Sequence, residues 1–109
     1  MPQHTPINRA TITPTTTVRI PSHVVSRAFA TETVVLNLQT GLYHSLNPTG
    51  GRMLEVLGEV GNVEAAIDKL AAEYGRPTDS MAEDVYVFCS SLIEHGLIEV
   101  YRAQRRSVA

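Results

Sequence analysis

The sequence predicts one small α+β domain, in which a three-stranded antiparallel sheet is followed by three helices in a winged-helix-like arrangement. Two observations carry this prediction. The hydrophobic pattern changes near Asn47 from a period of two to a helical period, and a chain of 109 residues has room for one domain. The 43% hydrophobic content includes no Trp, so the predicted core is aliphatic.

Three β-branched or apolar runs come before Asn47 and predict the sheet. The first two cover 23–29 and 33–38, and the second alternates Val34, Leu36 and Leu38 onto one face. A turn ending at Gly41, which suits a positive φ, leads into a third short strand over 42–46. These runs predict an antiparallel meander with the third strand at an edge.

Two asparagines predict where the first two helices begin. Asn47 and Asn62 are good N-caps, and Pro48 is favoured at a first helical position. The segment from Gly58 to Gly61 is expected to close the first helix, and the apolar spacing of the second continues to Gly75, since a helix commonly ends at glycine. Two helices are therefore expected, one beginning at Pro48 and the other after Asn62.

A third helix is predicted after the break at Arg76-Pro77. Thr78, Asp79 or Ser80 is expected to cap it, and it ends near His95, before a short extended segment over 97–101. One apolar stripe follows the helical spacing: Met81, Val85, Phe88, Cys89, Leu92 and Ile93.

The two ends of the chain differ in composition from the part between them. Residues 1–21 are rich in Thr and Pro and predict a disordered tail, because such a segment buries too little apolar surface to offset its ordering entropy. Residues 103–109 predict a flexible basic tail. The folded domain is expected to span 22–102.

Charge and cysteine content restrict the class of protein. A net charge of −2 argues against a general polyanion binder. The third helix carries four carboxylates and no Lys or Arg, which opposes DNA recognition, so a winged-helix DNA-binding protein is a remote alternative. One cysteine fits a reducing compartment, and neither a signal sequence nor a bilayer-spanning run is present. We expect a cytoplasmic protein with no nucleic-acid or membrane partner.

No residue pattern predicts catalysis. Cys89 lies within an apolar stripe, where a free cysteine is usually a core residue. The four histidines lack the spacing of metal ligands, and Ser90-Ser91 has no nucleophile context. The expected protein is therefore not an enzyme, and it has no catalytic residue, metal site or cofactor.

Residues 31–97 resemble the PqqD-like family, the recognition elements of ribosomal peptide (RiPP) natural-product pathways. The helical part of the resemblance is the spacing Asp84-Val85…Phe88…Leu92…Gly96-Leu97, and Thr49-Gly50 leads into the first helix. The most distinctive part is the hairpin and cap Thr40-Gly41-Leu42-Tyr43-His44-Ser45-Leu46-Asn47. This hairpin is most like that of the stand-alone leader-binding proteins of lasso-peptide biosynthesis. Members that serve pyrroloquinoline quinone synthesis, working with a radical SAM enzyme, usually carry a different hairpin and are the alternative.

The resemblance implies a non-catalytic function. The family binds the leader segment of a precursor peptide between the third strand and the third helix and presents it to a maturation protease, cyclase or other modifying enzyme. A short edge strand without Pro or Lys suits such strand addition. The predicted peptide-binding residues are Leu42, Tyr43, His44, Ser45, Leu46, Asp84, Val85, Phe88 and Leu92.

Several details of this predicted site stay open at the level of sequence. Val85, Phe88 and Leu92 are expected at the bottom of the cleft. Asp84 either pairs with a basic leader residue or stands solvated near the helix start. Tyr43 and His44 point to opposite faces, so only one can line the cleft. The strand edge could instead be covered by a tail or a second copy, and we expect a monomer or weak dimer.

Overall fold

The computed structural model describes residues 12–101 and confirms the α+β class. Three helices follow a set of short strands, and one further strand comes after them. The winged-helix likeness stays a prediction. The elements are β1 (Thr17–Arg19), β2 (Val24–Ala28), β3 (Thr33–Asn37), β4 (Leu42–Leu46), α1 (Pro48–Val60), α2 (Val63–Tyr74), α3 (Thr78–Glu94) and β5 (Glu99–Tyr101).

The three predicted strands form an antiparallel sheet in the order β2-β3-β4. Asn37 organises the β3–β4 turn, because its side-chain Oδ1 accepts hydrogen bonds from the backbone N–H groups of Gln39 (2.9 Å) and Thr40 (3.3 Å). Gly41 completes the turn with φ of 76°. As predicted, β4 lies at an edge of this sheet.

The helix boundaries confirm two of the three predicted caps. Asn47 Oδ1 accepts from the Gly50 N–H (2.7 Å), and Asn62 Oδ1 accepts from the Ala65 N–H (2.9 Å). The prediction for α3 is wrong: its N-cap is Pro77, and no side chain caps it. Pro77 already holds the extended cap conformation (φ −61°, ψ 147°), so the helix begins directly after it.

Residues 12–21, assigned above to a disordered tail, are part of the folded domain. β1 pairs antiparallel with β5, and Ile12, Thr16 and Val18 are buried. Backbone bonds join this segment to the α1–α2 junction, from the Val18 N–H to the Gly61 carbonyl and from the Val63 N–H to the Thr16 carbonyl, each 3.0 Å. The remainder of the predicted tail, 1–11, and the predicted basic tail, 103–109, lie outside the described residues.

The core lies between the inner face of the three-stranded sheet and the helices. Val35 is the fully buried contribution of β3, and each helix supplies one buried face. The largest fully buried side chains are Leu57, Leu70, Met81, Leu92, Leu97, Val35, Val56, Val63, Val85 and Cys89. None of the three described helices has the length and hydropathy that a membrane span needs.

Candidate functional site

The hydrogen bonds at both ends of the β2–β3 pair establish which backbone groups of the sheet are paired. The Leu38 N–H donates to the His23 carbonyl (2.7 Å), and the Phe29 N–H donates to the Glu32 carbonyl (2.7 Å). Both pairs lie in register with the ladder between them. Since hydrogen-bonded pairs alternate along antiparallel strands, the even-numbered residues of β3 bond to β2 and the odd-numbered ones face β4.

The same alternation identifies the free backbone groups of β4. Val35, an odd-numbered residue of β3, is opposite His44 in the β3–β4 register, so His44 bonds to β3. The N–H and C=O groups of Tyr43 and Ser45 then point away from β3. No strand among residues 12–101 pairs with this side of β4, so the edge is available for an extended peptide.

Side-chain direction settles whether Tyr43 or His44 lines the cleft. Val35 is fully buried against the helices, and its partner His44 lies on the same face of the sheet. Tyr43 lies on the opposite face and is 71% exposed. His44 is therefore the residue on the cleft side, together with Leu42 and Leu46, which share its face.

A cavity of about 370 Å³ lies beside the end of β4, between α3 and the beginning of α1. Gly50 lies at this junction, where an added Cβ would be 3.3 Å from Asn47 Oδ1 and 3.4 Å from both Phe88 Cε1 and Leu46 Cβ. The residues of α3 that line the cavity are spaced i, i+3, i+4 and i+7, a single helical face. The lining consists of Asn47, Thr49, Gly50, Met53, Asp84, Val87, Phe88 and Ser91.

Two residues predicted at the bottom of the cleft lie in the core instead. Val85 is 0% exposed and Leu92 is 2% exposed, so a ligand in the cleft does not reach them. At 3.6 residues per turn they share a buried face with Met81 and Cys89, whereas the cleft face is the adjacent one. Phe88 lies between the two faces and is half-buried, and Val87, 50% exposed, is the apolar cleft residue that the sequence analysis did not select.

Asp84 lies at the cavity, but it already has a cationic partner. Its Oδ2 is 2.8 Å from Arg76 Nη2. The same Arg76 nitrogen donates to the Ser80 carbonyl (3.1 Å) and hydroxyl (2.6 Å), which fixes the guanidinium at the first turns of α3. A basic ligand residue would therefore share Asp84 with Arg76.

A pair of imidazoles joins β4 to the end of α3. The His44 and His95 ring centroids are 4.5 Å apart, with the planes tilted by 54°. His95 is the C-cap of α3, and its Nδ1 lies 2.9 Å from the Ser91 carbonyl oxygen. This contact crosses the cleft at the end opposite to Leu46 and Phe88.

Cys89 lies in the core behind the cleft face of α3. Burial raises the pKa of the Cys89 thiol to about 12, which keeps it protonated and non-nucleophilic near neutral pH. Within residues 12–101, no three His, Cys, Asp or Glu side chains are grouped to hold a metal ion. The cleft offers outward-facing main-chain groups of β4 beside a cavity whose apolar lining is Met53, Val87 and Phe88.

Residues 32–98 match the protein family described as Coenzyme PQQ synthesis protein D (PqqD). This chain belongs to that family. Among solved structures, the one described as TbiB1 in complex with the TbiA(beta) leader peptide is similar to this PqqD family member, with a TM-score of 0.70 and 33% identity over 78% of this chain and 99% of that chain.

A second solved structure is described as lasso peptide synthetase B1 complexed with the leader peptide. It is similar with a TM-score of 0.66 and 21% identity, covering 75% of this chain and 96% of that one. At that identity the similarity concerns the fold alone. No curated protein sequence matches the chain.

Proposed function

We propose that this PqqD family member binds the leader segment of a ribosomally synthesised precursor peptide as an added strand beside β4. The observation that carries the proposal is the pair of outward-facing backbone positions, Tyr43 and Ser45, next to the cavity lined by Val87 and Phe88. The similarity to TbiB1, whose structure contains a leader peptide, supports it.

Main-chain pairing alone would not supply a useful affinity. Two outward-facing residues offer up to four hydrogen bonds, and at about 0.5–1.5 kcal/mol each these contribute roughly 2–6 kcal/mol. A micromolar dissociation constant requires about 8 kcal/mol, before the ordering of the peptide is counted. Burial of leader side chains against Met53, Val87 and Phe88 is the source of the remainder.

The lasso-peptide type is the pathway that the sequence favours within the family. The Thr-Gly-x-Tyr hairpin at 40–43 resembles that of the stand-alone lasso leader-binding proteins. A peptide chaperone of pyrroloquinoline quinone biosynthesis, acting with a radical SAM enzyme, is the alternative, and the description of the family supports it.

The proposed function is non-catalytic. The cleft presents the bound leader to a maturation protease or other modifying enzyme, which acts on the rest of the precursor. The protonated, buried thiol of Cys89 supports this assignment. We propose a cytoplasmic monomer or weak dimer, since a second copy paired along β4 would occupy the leader's place.

Direct titration with two labelled peptides tests the proposal. One is the TbiA(beta) leader, and the other is the leader segment of a short precursor frame beside this protein's own coding sequence. Fluorescence anisotropy is expected to show micromolar or tighter binding of at least one peptide and none of its scrambled version. Backbone amide exchange at Tyr43 and Ser45 should slow in the complex. Failure of both peptides to bind would overturn the proposal.

A further inference from the structure

Two features follow one another along the cleft, the cavity near Leu46 and the contact between His44 and His95. Along α3, the cavity ends at Ser91, one helical turn before His95. Along β4, His44 precedes Leu46 by two residues, which is about 7 Å in a strand. The His44–His95 contact therefore bridges β4 and the end of α3 roughly one side-chain repeat away from the cavity.

We propose that His44 and His95 together form a size filter that admits only a small side chain at one position of the leader. The inference rests on the proposed function, because it concerns how the bound strand is read. In an added strand, every second side chain faces the cleft. One such side chain enters the cavity of about 370 Å³, and the one two residues away meets the two imidazoles.

The filter is held in place from both sides. His44 is fixed by its position opposite buried Val35 in the β3–β4 ladder. On the helix side, His95 Nδ1 lies at hydrogen-bond distance from the Ser91 carbonyl, which holds the ring at the C-cap. A bulky leader side chain would have to separate the rings and break this bond, whereas Gly, Ala or Ser would not. The leader consequently follows a large–x–small pattern, in either strand direction.

A position scan of the leader tests the filter. The probe is whichever of the two leader peptides binds, with each residue in turn replaced by Phe, titrated against the wild type. We expect a Phe at the position two residues from the cavity-bound side chain to weaken binding roughly tenfold or more. Against His95→Ala, the same Phe peptide should bind within about threefold of the unsubstituted leader, because the truncation leaves space for the ring.

Two further variants make the result interpretable. His44→Ala removes the other half of the pair and should give the same rescue, so it carries the test if His95→Ala lowers the melting temperature. His23→Ala is the matched control, because His23 lines a neighbouring cavity with His95 but is no part of the ring pair. It should leave the Phe peptide excluded.

The outcomes separate the filter from the proposed function. Wild-type protein that binds the leader but tolerates Phe at every position would overturn the filter alone. So would His44→Ala and His95→Ala variants that keep the wild-type exclusion profile. Wild-type protein that binds neither leader would overturn the proposed function, and the filter with it.

Discussion

The three-stranded sheet has two edges, β2 and β4. Both edges have outward-facing backbone groups, but the side chains around them differ. By the alternation described above, Ser26 on β2 and Ser45 on β4 both direct backbone N–H and C=O groups away from β3. Beside β4 is the cavity containing Val87 and Phe88. Beside β2 is a cavity of about 430 Å³ whose lining combines apolar side chains, among them Phe29 and Leu54, with the charged residues Glu32, Arg52 and Glu55.

The comparison indicates that the neighbouring helix selects the edge to which a peptide adds. The guanidinium of Arg52 is held by Glu73 (2.7 Å) and Glu55 (2.9 Å), and the hydrogen bond from Arg52 lowers the pKa of the Glu73 carboxyl. A strand covering that network would remove charged groups from water. A strand beside β4 would meet one charged lining residue, Asp84, where a strand beside β2 would meet three, so we expect the leader at β4.

Proline substitution should give the largest difference between the two edges. Tyr43→Pro and Ser45→Pro each remove a donor on the β4 edge and place a ring in the path of the added strand, while the bonds to β3 remain. We expect the leader affinity to fall about tenfold or more in either variant. Ser26→Pro makes the same change on β2 and should leave the affinity within about twofold. Fluorescence anisotropy measures all three.

Ser45→Ala is a necessary control for this experiment. The Ser45 hydroxyl donates to Glu32, so Ser45→Pro removes a side-chain bond as well as a backbone donor. The alanine variant removes only the side-chain bond and should bind the leader normally. Equal weakening by Ser26→Pro and Tyr43→Pro would mean that the leader does not distinguish the two edges.

Substitutions at Val87 and Val85 of α3 should distinguish the cleft from the core, with a smaller effect on leader affinity than the proline substitutions. Val87→Asp places a carboxylate on the apolar lining of the β4 cavity, and we expect roughly three- to tenfold weaker leader binding at an unchanged melting temperature. Val85→Ala creates a void in the core and should lower the free energy of unfolding by about 1–3 kcal/mol. Thermal unfolding and titration of both variants check this. A binding defect in Val85→Ala at full stability would contradict the assignment of faces.

The sequence predicted correctly those elements whose boundaries are set by residues close together in the chain. Asn47 and Asn62 have the side chains that cap a helix, and Gly41 supplies the positive φ of the turn, so β2 to α2 could be placed by inspection. In the β3–β4 hairpin His44 lies opposite Val35, a pairing compatible with the predicted strands and the turn ending at Gly41. These features depend on residues that are close along the chain.

The predictions that failed depend on residues that are distant along the chain. β1 exists because Thr17–Arg19 meets Glu99–Tyr101, about 80 positions later, and Thr-rich composition was interpreted as disorder although Thr is a favourable strand residue. The apolar stripe of α3 was broad enough to serve either a core or a cleft. Only the packing of α3 in the folded domain decides that Val85 is buried in the core and that Val87 lines the cavity.

The charge next to the β4 cavity should have the smallest effect on binding. Arg76 already pairs with Asp84 at 2.8 Å, and both side chains are partly exposed, so the pair contributes about 0–1 kcal/mol. Asp84→Asn is therefore expected to change leader affinity by less than about threefold. Arg76→Gln leaves Asp84 without its cationic partner. This variant should therefore bind more tightly to a leader that carries a Lys next to Asp84, and the gain in affinity should disappear at high salt. A large loss in Asp84→Asn would show that the leader displaces Arg76 and pairs with Asp84 directly.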